Sequence, residues 1–228
     1  MIYVSSDWHG WPLEKIEDLL ERAGFGEDDY LFVLGDVIDR GDHGVELLRW
    51  LTWQTNVQLI LGNHEAMLLA CFSLLQSEDA DKYQAAYLMK NWMENGGGPT
   101  LEGLEKLVKE NEDEAEDILG YLQDAPLYDT VEVNGKDYIL VHSGIGNFDP
   151  GKDLDDYKAD DFLWTRPDLN TTYYQNATVI FGHTPTEYFG EQYLGKPVYT
   201  DSWICIDTGT GGGRPPVLLR LDDMKEFY

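Results

Sequence analysis

The sequence predicts a mixed α/β fold, a β-sandwich flanked by helices with an α-helical insertion, and three observations carry that prediction. Short apolar runs suited to strands alternate with segments of helical spacing up to about residue 76. A helical, acidic stretch then occupies about 77–126, and strands return from Val131. The 228 residues are read as one domain, 1–228, with the helical stretch inside it.

Ile2 to Val4 is the first strand. Leu13, Ile16, Leu19 and Leu20 follow with helical spacing, where Pro12 suits a first turn and Gly24 a stop. Leu31 to Leu34 is the next strand, which closes a βαβ unit with parallel strands. The cycle repeats as a helix from about Val45 to Trp53, a strand from Val57 to Leu61, and a helix carrying Met67, Leu68, Cys71, Phe72 and Leu75. Within the insertion, Leu101, Leu104, Leu107 and Val108, then Ile118, Leu119 and Leu122, supply helical faces after the flexible run Asn95-Gly96-Gly97-Gly98-Pro99. The acidic run Glu112 to Asp117 reads as a solvated helix face. Asn134-Gly135 marks a hairpin between Val131–Val133 and Tyr138–Val141. Val179–Phe181, Trp203–Ile206 and Val217–Leu219 are the remaining strands, and their number calls for a second sheet.

Composition narrows the function classes. At 43% hydrophobic and 13% aromatic residues, the chain buries a sizeable core. A formal charge of -27 opposes nucleic-acid binding, whose affinity comes largely from cations on phosphates. No apolar run approaches the roughly 20 residues of a membrane helix and no basic leader opens the chain, so a cytoplasmic protein with no membrane partner is expected. Cys71 and Cys205 sit in apolar runs and read as reduced, buried thiols.

The five histidines are the most informative residues. His9, His64, His142 and His183 each follow an expected strand beside Asp, Asn, Ser, Gly or Thr, where open α/β sheets place their sites; His43 reads as an exposed turn residue. Imidazole suits first-row transition metals, carboxylates suit hard cations, and a pair of ions about 3.5 to 4 Å apart needs a bridging carboxylate. Asp7-x-His9 offers an oxygen and a nitrogen from one chain end, Asp36 is the natural bridge, and Asn63 is a neutral oxygen ligand that limits the negative charge.

Ser6-Asp7-Trp8-His9-Gly10, Gly35-Asp36-Val37-Ile38-Asp39-Arg40-Gly41, Gly62-Asn63-His64-Glu65, His142-Ser143-Gly144 and Gly182-His183-Thr184-Pro185 closely resemble, in order, the signatures of calcineurin-like metallophosphoesterases. The resemblance is nearest to the compact bacterial and phage (lambda phosphatase-like) serine/threonine protein phosphatases, and it extends to Asn95-Gly96-Gly97-Gly98 and Leu163-Trp164-Thr165-Arg166. It implies a metallophosphoesterase-like fold with two divalent ions. One is held by Asp7, His9 and Asp36, the other by Asp36, Asn63, His142 and His183. A water bridging the ions would attack phosphorus in line, and His64, kept cationic by Asp39, would protonate the leaving oxygen. Arg40 and Arg166 would grip the phosphoryl oxygens, and Glu65 would support the ligands from behind. The resemblance suggests Mn²⁺, while the mixed donor set also accepts Fe, Zn, Co or Ni.

The implied substrate is a phosphorylated protein or a small phosphate ester. Hydrolysis of dinucleoside polyphosphates is the nearest alternative; Asp39-Arg40 and Glu65 stand at the places where that related group usually differs. A further alternative is a binding module of the same fold without turnover, which would tend to lack the general acid or the ligands. Leu61 stands where the larger eukaryotic phosphatases commonly have arginine, and their C-terminal aromatic loop has no counterpart, so no regulatory subunit is expected. Asp207 reads first as a turn former and second as a support for the metal histidines. Trp8, Trp11 and Trp164 suit core packing and pocket lining equally, and Ser143 has no base to make it a nucleophile.

Overall fold

The computed structural model packs two five-stranded sheets against each other, and it describes residues 1–76 and 81–228. Residues 77–80, where the expected insertion begins, and the side chain of Leu75 lie outside the described residues.

The first half of the chain alternates strand and helix: β1 (Ile2–Ser5), α1 (Leu13–Ala23), β2 (Tyr30–Val33), α2 (Gly44–Trp53), β3 (Val57–Leu59) and α3 (Asn63–Gln76). In α1 the residues Ile16, Leu19, Leu20 and Ala23 face inward, and Gly24, in the left-handed region at φ 76°, ends the helix by donating back to Glu21. β3 is shorter than the expected strand to Leu61, and Asn63 and His64 open α3, so this polar cluster is the first turn of a helix.

Three helices follow: α4 (Lys82–Glu94), α5 (Gly98–Glu110) and α6 (Glu112–Asp124). They pack against the core. Trp92, Leu104, Leu107, Ala115, Ile118 and Leu122 join the cluster that buries Leu47, Leu48 and Leu51 of α2. The acids Glu112, Asp113, Glu116 and Asp117 are exposed on the opposite face of α6.

β4 (Tyr128–Val133) and β5 (Lys136–Val141) pair through the turn at Asn134 and Gly135, both at positive φ as the Asn-Gly dipeptide requires. The remaining elements are α7 (Ala159–Leu163), β6 (Ala177–Phe181), β7 (Val198–Tyr199), β8 (Trp203–Cys205), β9 (Leu218–Arg220) and β10 (Lys225–Phe227). β7 and β10, two and three residues long, are too short to show a period in sequence.

One sheet runs β10-β9-β1-β2-β3 and the other β4-β5-β6-β8-β7, with β1, β2, β3 parallel in the first and β5, β6, β8 parallel in the second. Side chains alternate as the pleat demands. Val4, Phe32, Leu34, Leu140, Ile180, Ile204 and Ile206 meet between the sheets. Tyr3, Leu31 and Val33 face the helices, while Ile139, Val141, Val179 and Phe181 face the outer layer of the second sheet. Trp8 belongs to the core, with its indole N–H donated to Ser5 Oγ at 2.8 Å.

Candidate metal centre

The carboxyl ends of the six parallel strands converge on one pocket. β1 feeds Asp7 and His9, β2 feeds Asp36, Asp39 and Arg40, and β3 runs into Asn63 and His64. From the other sheet, β5 delivers His142, β6 His183 and β8 Asp207. Among the described residues, nine non-glycine residues have positive φ, and six of them are Asp7, His9, Asp36, Asp39, Arg40 and His183. Backbone strain is concentrated where the strands turn to aim these side chains.

The donor atoms form two groups that share Asp36: His9, Asp36 and His64 in one, Asp36, His142 and His183 in the other. Asp36 divides its oxygens between them. Oδ2 lies 3.8 Å from His9 Nε2 and Oδ1 lies 3.4 Å from His142 Nε2. His142 Nε2 is also 2.8 Å from Asn63 Oδ1 and 3.3 Å from His183 Nδ1. Metal–ligand bonds of about 2.1 Å space neighbouring donors by roughly 3.0 to 3.4 Å, so the second group has the dimensions of a coordination shell. Asp7 lies further out, with Oδ1 4.0 Å from His9 Nε2, and both of its oxygens accept from the His183 backbone N–H at 3.0 and 3.1 Å.

The imidazoles are oriented for ligation. His142 Nδ1 donates to Leu34 O at 2.7 Å and His9 Nδ1 donates to Ile38 O at 3.2 Å, which leaves Nε2 of each ring as a lone-pair donor facing the pocket. Burial pushes His9 down to about 3 and His183 down to about 2, and it also lowers His142, so these rings are neutral as ligation requires. The carboxylates show the complementary stress. Burial, then Asp207 and Asp36, raises Asp7 well above the usual range, and burial pushes Asp207 up to about 6. Burial also works against charge on Asp36, but at low pH, where His142, His64, His9 and His183 carry protons, their charge outweighs it and holds this carboxyl down. Buried carboxylates crowded around neutral imidazoles suit divalent cations.

His64 falls within reach of the first group, yet its ring is committed elsewhere. Nδ1 lies 2.6 Å from Asp39 Oδ2, and Nε2 faces the pocket beside Arg40 Nη2 at 3.2 Å. Burial disfavours its charge, but Asp36 and Asp39 overcome this and raise its pKa. Arg40 also reaches His9 Nε2 at 3.0 Å through Nη1. Arg166 is exposed and lines the same cavity of about 400 Å³, as do Asn95, Trp164, Pro185 and Tyr188. Trp164 stands edge-on to His183, with ring centroids 6.1 Å apart.

Glu65 ties the site to its frame. Its carboxylate accepts from the backbone N–H of Asp36, Val37 and Gly62 at 2.8 to 3.1 Å and from Ile38 at 3.3 Å, although burial and Asp36 push it up to about 7. Asp207 makes the expected turn, accepting from Gly209 N–H at 2.9 Å, and also lines the cavity. Among the described residues Ser143 bonds only to backbone groups. His43 pairs with Glu46 at the start of α2, away from the site. Sequence reasoning missed Trp92 and Thr100, which bond the Asp39 carboxylate, and Gly211, which walls Arg40. The signal in sequence was weak: a tryptophan and a threonine on either side of the glycine run.

A buried shell of imidazole and carboxylate donors, with two guanidinium groups over its mouth, defines a metal-dependent hydrolase of phosphate esters. The chain belongs to the calcineurin-like phosphoesterase family, whose signature matches residues 1–202. Serine/threonine-protein phosphatase 2 of Salmonella typhimurium is 28% identical over 211 residues, or 92% of this chain and 87% of that one. The symmetrical bis(5'-nucleosyl)-tetraphosphatase of Buchnera aphidicola is 33% identical over 88 residues, which cover 38% of this chain and 32% of that one. A solved structure provisionally assigned as a diadenosine tetraphosphatase superposes with a TM-score of 0.62 over 99% of this chain and 90% of that chain, at 18% identity, a likeness of fold. Among the described residues no helix is long and apolar enough to cross a membrane.

Proposed function

We propose that this chain is a phosphate monoesterase acting on phosphorylated serine and threonine side chains of proteins. The observation that carries the reading is His64, anchored through Nδ1 to Asp39 at 2.6 Å with Nε2 turned into the pocket. An alkoxide is a poor leaving group and needs a proton as the ester bond breaks, whereas a phosphoanhydride expels a phosphate that needs none. The relative named as a serine/threonine phosphatase also matches nearly the whole chain, while relatives named as tetraphosphatases match 30% to 63% of it.

Asp7, His9 and Asp36 would hold one divalent ion, and Asp36, Asn63, His142 and His183 the other, with Mn²⁺ as the ion of choice. Bound there, two such ions would supply Lewis acidity and an activated water. The chain's own groups do the rest. Arg40 and Arg166 orient the phosphoryl oxygens and offset their growing charge. His64 would carry a second proton at Nε2 for the leaving oxygen once Arg40 Nη2 turns from that nitrogen to the phosphoryl group, and Asp39 keeps the ring in that orientation. Two buried free thiols, Cys71 and Cys205, are consistent with work in the reducing cytoplasm.

Dinucleoside polyphosphate hydrolysis is the second reading, favoured by the relatives of that name. Chelator-stripped protein with Mn²⁺ added back separates the two when assayed side by side on p-nitrophenyl phosphate, a phosphoserine peptide and diadenosine tetraphosphate. The proposal expects turnover of the first two, severely impaired in Asp36→Asn and His64→Asn. Turnover of the tetraphosphate alone would transfer the assignment to the second reading.

A further inference from the structure

The helices α4 and α5 end and begin at the Asp39 carboxylate. This carboxylate is fully buried and accepts three hydrogen bonds: His64 Nδ1 at 2.6 Å and Trp92 Nε1 at 2.8 Å on Oδ2, and Thr100 Oγ1 at 2.6 Å on Oδ1. Thr100 Oγ1 in turn accepts the Asp39 backbone N–H at 2.9 Å, so one hydroxyl grips both the side chain and the main chain of residue 39. Asp39 and Arg40 both lie at φ 69°, a conformation that two successive non-glycine residues do not hold unaided. Gly96 O helps to hold it by accepting Arg40 N–H at 2.9 Å. The Trp92 ring is wedged against Gly97, where a β-carbon would stand 2.6 Å away.

Trp92 and Thr100 are 0% and 1% exposed, and neither touches the cavity. A buried indole N–H and a buried hydroxyl cost free energy unless bonded, and both find their partner in one carboxylate. With its two oxygens held from different directions, Asp39 cannot rotate, and the plane of the His64 ring is set with it. We infer that Trp92 and Thr100 are positioning residues for leaving-group protonation, through which the helical segment aligns His64. This rests on the reading of His64 as proton donor. It gives the α4–α5 junction a part in the reaction beyond packing.

The test compares the wild type with Thr100→Val, Thr100→Ser and Trp92→Phe, all with Mn²⁺, on p-nitrophenyl phosphate and phenyl phosphate. The nitrophenolate leans less on the acid than phenolate does. A positioned acid contributes roughly 10² to 10⁴-fold, so Thr100→Val should lose on the order of tenfold more kcat on phenyl phosphate than on the nitrophenyl ester. Thr100→Ser keeps the hydroxyl and should restore the ratio, and Trp92→Phe should shift it in the same sense as Thr100→Val. Equal losses on both esters would reduce the two residues to structural supports and overturn the inference. Should the wild type hydrolyse neither ester, the phosphatase reading fails first. The alignment is then read by NMR from the downfield proton shared by His64 Nδ1 and Asp39. Its loss in Thr100→Val with recovery in Thr100→Ser upholds the alignment, and an unchanged resonance in Thr100→Val overturns it.

Discussion

Gly211 lies flat against the guanidinium of Arg40, so close that a β-carbon on residue 211 would overlap Nη1. On the opposite side a β-carbon at Gly96 would come within 2.8 Å of Arg40 Cγ. The arginine therefore threads a slot walled by two glycines, one from the α4–α5 junction and one from the loop after β8.

Gly211→Ala is expected to push Arg40 off its station and lower kcat/KM by on the order of tenfold to a hundredfold, in line with loss of one charge-stabilising donor. Gly211 has no positive φ, so the effect arises from contact and the melting temperature should scarcely move. Steady-state kinetics beside a thermal melt checks this, and wild-type kinetics in the variant would show that the slot does not constrain Arg40.

Removal of metal should cost stability as well as turnover, because the ligands belong to five different strand ends in two sheets. With free ion at about 100 times its Kd, binding contributes about 2.7 kcal/mol, so chelation should lower the melting temperature by roughly 5–10 °C. Differential scanning calorimetry with and without chelator, and with Mn²⁺ restored, reads the shift. Identical melts would mean that the shell binds no ion strongly in the folded state.

Leu122 is fully buried where α6 meets the core of the first sheet. Truncation to alanine is expected to cost about 2 to 5 kcal/mol. The melting temperature should fall by roughly 5–20 °C in a single transition shared by the whole chain. A second, separate transition in Leu122→Ala would mark the helical segment as an independent unit.

Cys205 is buried and its thiol is raised well above the ordinary range, first by burial and then by Asp207; burial also raises Cys71. A raised pKa means less thiolate at a given pH, and the thiolate is the reactive form. Both cysteines should therefore resist alkylation at pH 8 in the native protein and label completely in denaturant. Mass spectrometry after a timed pulse of iodoacetamide decides it, and rapid native labelling of Cys205 would contradict its burial.

Most of the site was legible in sequence because its donors sit one to five residues beyond the ends of apolar runs. His9, Asp36, Asn63, His142 and His183 are found together for that reason, as is the Asp39–His64 pair. The tryptophans were ambiguous in sequence, and burial separates them: Trp8 packs in the core while Trp164 lines the cavity. The length of β3 and the helical start at Asn63 were not legible, since Ile60 and Leu61 continue the apolar run after the strand has ended.

By itself the sequence determined the order of the longer strands and helices, the family, and the identity of the donors, because periodicity and short motifs are local properties of the chain. The tertiary structure alone decided that Asp36 faces both donor groups, that Trp92 and Thr100 close on Asp39, and that two glycines enclose Arg40. Those contacts join residues 53, 61 and 171 positions apart, and nothing in a linear pattern sets distances of that kind. They follow from how two twisted sheets bring six strand ends to one edge and how the helical segment packs against it.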